Sequence, residues 1–64
     1  MEKYYLWESD ERFMETGFNT FEEAFEIAMN NNCVTEIEKT IWYDEEDYQN
    51  RKPADEFETV WKRQ

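Results

Sequence analysis

TFEEAFEIAMNNNCVTEIEKTIWY, Thr20 to Tyr43, decides the fold, because the spacing of its apolar residues changes once along its length. In the first half Phe21, Ala24, Phe25 and Ala28 recur at i, i+3, i+4 and i+7, the spacing of one helical stripe. Ile27 and Met29 widen that stripe, and Glu22, Glu23, Glu26 and Asn30 fall on the opposite side. Thr20 with Glu23 forms a capping box that starts the helix. Asn30-Asn31-Asn32 ends it with residues that tolerate left-handed backbone. From Cys33 the period becomes two. Cys33, Thr35, Ile37, Lys39, Ile41 and Tyr43 alternate with Val34, Glu36, Glu38, Thr40 and Trp42, as in a strand with one wet face.

Working outward, Lys3–Glu8 (KYYLWE) is dense in aromatics and reads as a first strand. Ser9-Asp10-Glu11 is a turn, and Arg12–Thr16 a short return strand. Gly17 closes that hairpin as the one residue free to take positive φ without steric cost. Beyond Tyr43, the residues Asp44 to Glu56 (DEEDYQNRKPADE) form a long polar connection. Its first half suits a helical turn capped by Asp44, and Pro53 fixes a corner. Phe57 to Arg63 reads two ways. As a helix it aligns Ala54, Phe57 and Trp61, with acids at its start and bases at its end. As a strand it carries the β-favouring Thr59-Val60-Trp61 and supplies the partner that Ile41-Trp42-Tyr43 needs. The strand reading gives a single domain over residues 1–64. It is an α+β fold of order β-β-α-β-β, an antiparallel sheet with one helix packed on one face.

Composition narrows the function. The 64 residues include 17 acids and 7 bases, for a formal charge of −10. The excess is spread along the chain: eight acids and two bases lie in 1–32, and nine and five in 33–64. Such a surface repels nucleic acid and anionic membranes and attracts basic protein surfaces; acidity also serves solubility in small domains. Twelve aromatics argue against disorder. No basic segment followed by an apolar run suggests a signal peptide, and no stretch has the length to cross a bilayer, so the expected location is cytoplasmic.

Chemistry finds little to work with. There is no histidine, hence no usual general base and no common transition-metal ligand. Cys33 stands alone, without a disulfide partner or an activating neighbour, and reads as a small buried hydrophobe. One glycine cannot make a phosphate-binding loop. The run Asp44-Glu45-Glu46-Asp47 lacks the alternating ligands and central Gly of an EF-hand loop and reads as a solvated loop. The expectation is a protein that is not an enzyme and has no catalytic residues, metal site or cofactor.

What remains is surface. With Ile37 and Ile41 turned to the helix, Glu36, Glu38, Thr40 and Trp42 point to the open face of the sheet. If Phe57 and Trp61 are also inward, Glu56, Glu58 and Val60 join that open face as an acidic plate. The expected partner-binding set is therefore Glu36, Glu38, Trp42, Asp44, Glu45, Glu46, Asp47, Tyr48, Glu56 and Glu58, with Trp42 and Tyr48 as aromatic anchors. The expected partner is a basic protein surface, that of a nucleic-acid-binding protein, with no direct binding of nucleic acid or membrane. The alternative is an accessory or structural domain whose acidity serves solubility, a homodimer through its sheet.

A short, histidine-free, strongly acidic and aromatic-rich chain, with IWYDEEDYQNRKPADEF (Ile41 to Phe57) as its nearest approach to a signature, resembles small proteins encoded by phages and mobile elements. Some of these inhibit host nucleases, restriction enzymes or CRISPR effectors by DNA mimicry. The resemblance implies an inhibitor of anti-CRISPR or similar anti-defence type, and assigns no role to any particular residue.

Overall fold

The computed structural model describes residues 1–64. The elements are β1 (Glu2–Glu8), β2 (Glu11–Arg12), α1 (Phe21–Met29), β3 (Glu36–Ile41), α2 (Glu45–Gln49) and β4 (Glu56–Lys62). The four strands form one antiparallel sheet in the order β2-β1-β3-β4, and the last segment is a strand. Helix α1 lies across one face. Beneath it Leu6 stands opposite Ile37 on the paired central strands. These two close with Ala24, Ala28 and Val34 into a fully buried core. Phe21, Phe25 and Trp61 extend it as half-buried rings, with Phe25 stacked on Phe21 at 5.4 Å and edge-on to Trp61 at 5.8 Å. The two alanines let the helix sit close to the sheet; the aromatics fill its margins.

Thr20 caps α1 as its sequence indicates: its hydroxyl oxygen accepts from the Glu23 N–H at 3.2 Å and donates to the Glu23 carboxylate at 3.0 Å. The other end differs from expectation. No asparagine enters the left-handed region; Asn30 is right-handed, and the last carbonyls are met by side chains instead. Asn30 Nδ2 donates to the Glu26 carbonyl and Asn31 Nδ2 to that of Ile27, at 2.9 and 2.8 Å. Arg63, arriving from the far end of the chain, donates to the carbonyls of Ala28, Asn31 and Val34. A guanidinium on a helix C-terminus also suits the macrodipole, which α1 has no basic residue of its own to meet.

The left-handed residues are Ser9 and Arg51, at φ 56° and 60°. Ser9 opens the two-residue turn between Glu8 and Glu11. Arg51 follows α2, where its N–H bonds the Tyr48 carbonyl and the Lys52 N–H bonds that of Asp47, the paired bonds of a Schellman ending. Gly17 has no positive φ. Its lack of a side chain serves a close approach: a Cβ there would stand 2.8 Å from the Tyr5 ring. The return strand is likewise shorter than the expected Arg12–Thr16. After Arg12 the chain bonds Leu6 through Phe13, leaves the sheet, and rejoins it where Phe18 bridges Tyr4.

Two side-chain assignments are corrected by backbone geometry. Strand β3 begins at Glu36, so Cys33 and Val34 lie in a turn that does not follow the alternation; Cys33 is exposed and Val34 is fully buried. In β4 the register slips. Ile37 pairs with Trp61 but Glu38 with Thr59, leaving Val60 as an extra residue. Facing residues in an antiparallel pair share a side, so the bulge puts Trp61 under the helix and Phe57 on the opposite face. Phe57 is accordingly 70% exposed instead of inward.

Candidate functional site

The face of the sheet opposite α1 is less open than a bare sheet. The connection after Trp42 folds back across it, capped at α2 by Asp44, whose carboxylate accepts from the Glu46 N–H at 2.9 Å. Trp42 is pinned beneath: its indole N–H donates to the Lys52 carbonyl at 2.8 Å, and Tyr48 meets it edge-on at 5.0 Å. At 7% exposure Trp42 is a core residue of this face and no anchor for a partner. Tyr48 is half-buried, with Lys3 Nζ 5.5 Å from its ring centroid. On the other side Arg12 lies 3.9 Å above the Tyr5 ring and 5.7 Å from Trp7. Between these walls runs a groove of about 700 Å³ whose floor includes Tyr5, Glu38 and Thr40 and whose rim includes Arg12, Arg51 and Lys52. Burial raises the Tyr5 pKa, with nearby Tyr48 adding to the shift and Arg12 opposing it.

That inventory breaks up the acidic plate. Glu36 and Glu38 do project to this face, each half-buried, but Glu36 is flanked by Trp7 and Lys62, and Glu38 shares the groove with two arginines. Glu56 and Glu58 are elsewhere. They pair with Ile41 and Lys39, whose parity is that of Ile37, so both lie on the helix side of β4. The bulge at Val60 is the reason, and the sequence carries no sign of it.

Exposed acids are spread over the β1–β2 turn and the outer side of α1 as well. One group of them, Asp44, Glu45, Glu46, Asp55, Glu56 and Glu58, lies at one end of the sheet, on β4 and the connection that precedes it. Tyr43 organises them. Its N–H donates to Asp55 Oδ2 and its hydroxyl to Glu56 Oε2, both at 2.7 Å. The bond to Glu56, then burial, then the charges of Glu56 and Asp55 raise the Tyr43 pKa, holding it protonated as a donor. Asp44, Glu45 and Glu46 follow Tyr43 directly and are exposed, while Asp47 is half-buried and paired with Lys52 at 3.4 Å. Glu58 lies beside Lys39, whose 3.4 Å ion pair is with Glu2. The Lys39 pKa is raised by the bond to Glu2 foremost and by the charges of Glu2, Tyr4 and Glu58. Tyr43 is 70% exposed among these carboxylates, and Phe57, equally exposed, stands on the groove side of β4.

Of the ten residues expected to bind, the structure thus brings Asp44, Glu45, Glu46, Glu56 and Glu58 to this end. Glu36, Glu38, Trp42 and Tyr48 are assigned to the groove face, and Asp47 is tied into its own loop. Tyr43, Asp55 and Phe57 were missed. Alternation with the buried Trp42 marks Tyr43 as a residue of the other face, and that signal was available. No three His, Cys, Asp or Glu side chains converge as metal ligands. No helix is long and apolar enough to cross a membrane. No protein-family model, curated protein or solved structure matches the chain.

Proposed function

We propose that this protein is a non-enzymatic binding module that docks its acidic sheet end on a basic protein surface in the cytoplasm. The observation that carries the reading is Tyr43, left 70% exposed while bonded to Asp55 and Glu56, with Phe57 equally exposed on the other side of β4. A carboxylate cluster alone serves solubility. Large aromatic surfaces held in water among carboxylates favour contact, because rings dominate interface energies and charges steer the approach. The partner class is a nucleic-acid-binding protein, whose lysines and arginines, laid out for phosphates, would meet carboxylates instead. Inhibition of a host nuclease or CRISPR effector by such mimicry is the use that fits a chain of this size and charge.

The competing reading is an accessory domain that pairs with itself through the sheet. Exposed Phe57 and Val60 on β4 favour it. Affinity capture from source-cell lysate at low salt, with wild type and a Tyr43→Ser/Phe57→Ser variant as baits, separates the two. Binding by this site predicts a protein released steeply by a salt gradient and lost with the variant. A bait that retains only itself, insensitive to salt, would support the self-pairing domain.

A further inference from the structure

We infer that β4 is a docking edge for one extended, basic segment of the partner, which adds to the sheet as a fifth strand; the inference rests on the basic-partner reading and specifies its geometry. The sheet has two edges, and one is closed. Beyond β1 the outer positions are taken by Phe13 and Phe18, and β2 is two residues long. Strand β4 runs seven residues with no element on its outer side, and from Glu56 to Thr59, before the Val60 bulge, it offers an unbroken row of main-chain groups able to template another strand.

Charge selects the occupant. Glu56 and Glu58 share one side of β4, and Phe57 and Thr59 share the other. A second copy fits badly. Antiparallel pairing centred on Phe57 sets Glu56 against Glu58 twice, and like charges directly opposed are destabilising. Pairing centred on Thr59 avoids that clash but sets Phe57 against Trp61, which the Val60 bulge has turned to the other face. Two chains of −10 also repel at long range. A segment with Lys or Arg at alternate positions and apolar residues between answers both sides of the strand. Its cations face Glu56 and Glu58, and its apolar side continues the surface of Phe57.

The test uses the intact protein and a blocked ten-residue peptide of alternating Lys and Val. Two analogues carry N-methyl groups on the Lys or on the Val residues, which keeps charge and removes ladder donors from one edge at a time. Binding is measured at low salt by fluorescence titration, with amide hydrogen exchange across residues 56–62. The inference expects slowed exchange in β4 on adding the peptide. It also expects an affinity loss of about tenfold or more for at least one analogue, since several main-chain bonds disappear together. Equal binding of all three peptides would overturn strand addition while leaving the basic-partner reading in place. No binding by any of them would overturn both. Protection of β4 without peptide, rising with protein concentration, would replace the peptide by a second copy.

Discussion

At the scale of single residues, Gly17 and Tyr43 each give a direct test. Gly17 lies so close to Tyr5, itself only 6% exposed, that an added methyl has nowhere to go. We predict that Gly17→Ala destabilises by about 1–3 kcal/mol, as overpacking generally does. In a Tyr5→Ala background the same substitution should cost much less. Equal penalties in both, measured by denaturant unfolding, would mean that the glycine is needed for its backbone after all. Tyr43 gives a spectroscopic test. Because Glu56 and Asp55 raise its pKa, Glu56→Gln should bring its phenol titration, followed by ultraviolet absorbance, back toward the ordinary value. The shifts of Tyr5, Lys39 and Tyr43 are all upward. A raised folded pKa contributes stability that is complete below the unfolded pKa and lost as pH rises through the folded one. Stability should therefore decline above about pH 10, where these groups begin to titrate. A melting temperature unchanged up to pH 11 would contradict the assignment.

Among the elements, α1 depends on a residue that no local pattern reveals. Arg63 satisfies carbonyls at the helix end from 32 and 35 residues away along the chain. Arg63→Ala should destabilise by about 2 kcal/mol, the scale of charge-assisted hydrogen bonds onto partly buried carbonyls. Arg63→Lys should recover only part of that, lacking the planar fork. Melts of the two variants that coincide with wild type would show the contacts to be incidental. The contrast with Thr20 shows what a sequence can disclose. A cap three residues from its partner is local and was legible, as was the alternation from Glu36 onward. Thr59-Val60-Trp61 is the strand its β-favouring residues suggested, but it pairs with Ile37 and Glu38 and not with Ile41-Trp42-Tyr43. The slip at Val60 arises from how two strands settle against each other across the sheet, and no spacing within β4 announces it. One extra residue moved Phe57, Glu56 and Glu58 to new faces, whereas Trp42 and Tyr48 left the expected site because the connection folds back over them. Gly17 was singled out correctly for the wrong physical reason: close approach to a ring distant in sequence needs the folded structure to be seen.

For the molecule as a whole, charge and burial are segregated. The core lies between α1 and the central strands, the groove face mixes acids with Arg12, Arg51 and Lys52, and the free end carries exposed acids and rings together. Net charge alone would attract a basic partner from any side, since exposed acids also line the β1–β2 turn and α1, whereas the proposed site predicts one preferred end. The decisive measurement compares two charge reversals that alter net charge equally: Glu56→Lys with Glu58→Lys on β4, and Glu22→Lys with Glu26→Lys on the outer side of α1. All four side chains are exposed, so both variants should fold, which circular dichroism checks. Titrating each with the Lys/Val peptide at physiological salt, where screening acts over about 8 Å, isolates local contact from overall attraction. A local site predicts that the β4 pair weakens binding about tenfold or more and the α1 pair less than about threefold, the difference between a lost direct charge contact and a screened distant one. Equal losses from the two pairs would contradict a binding site at the sheet end.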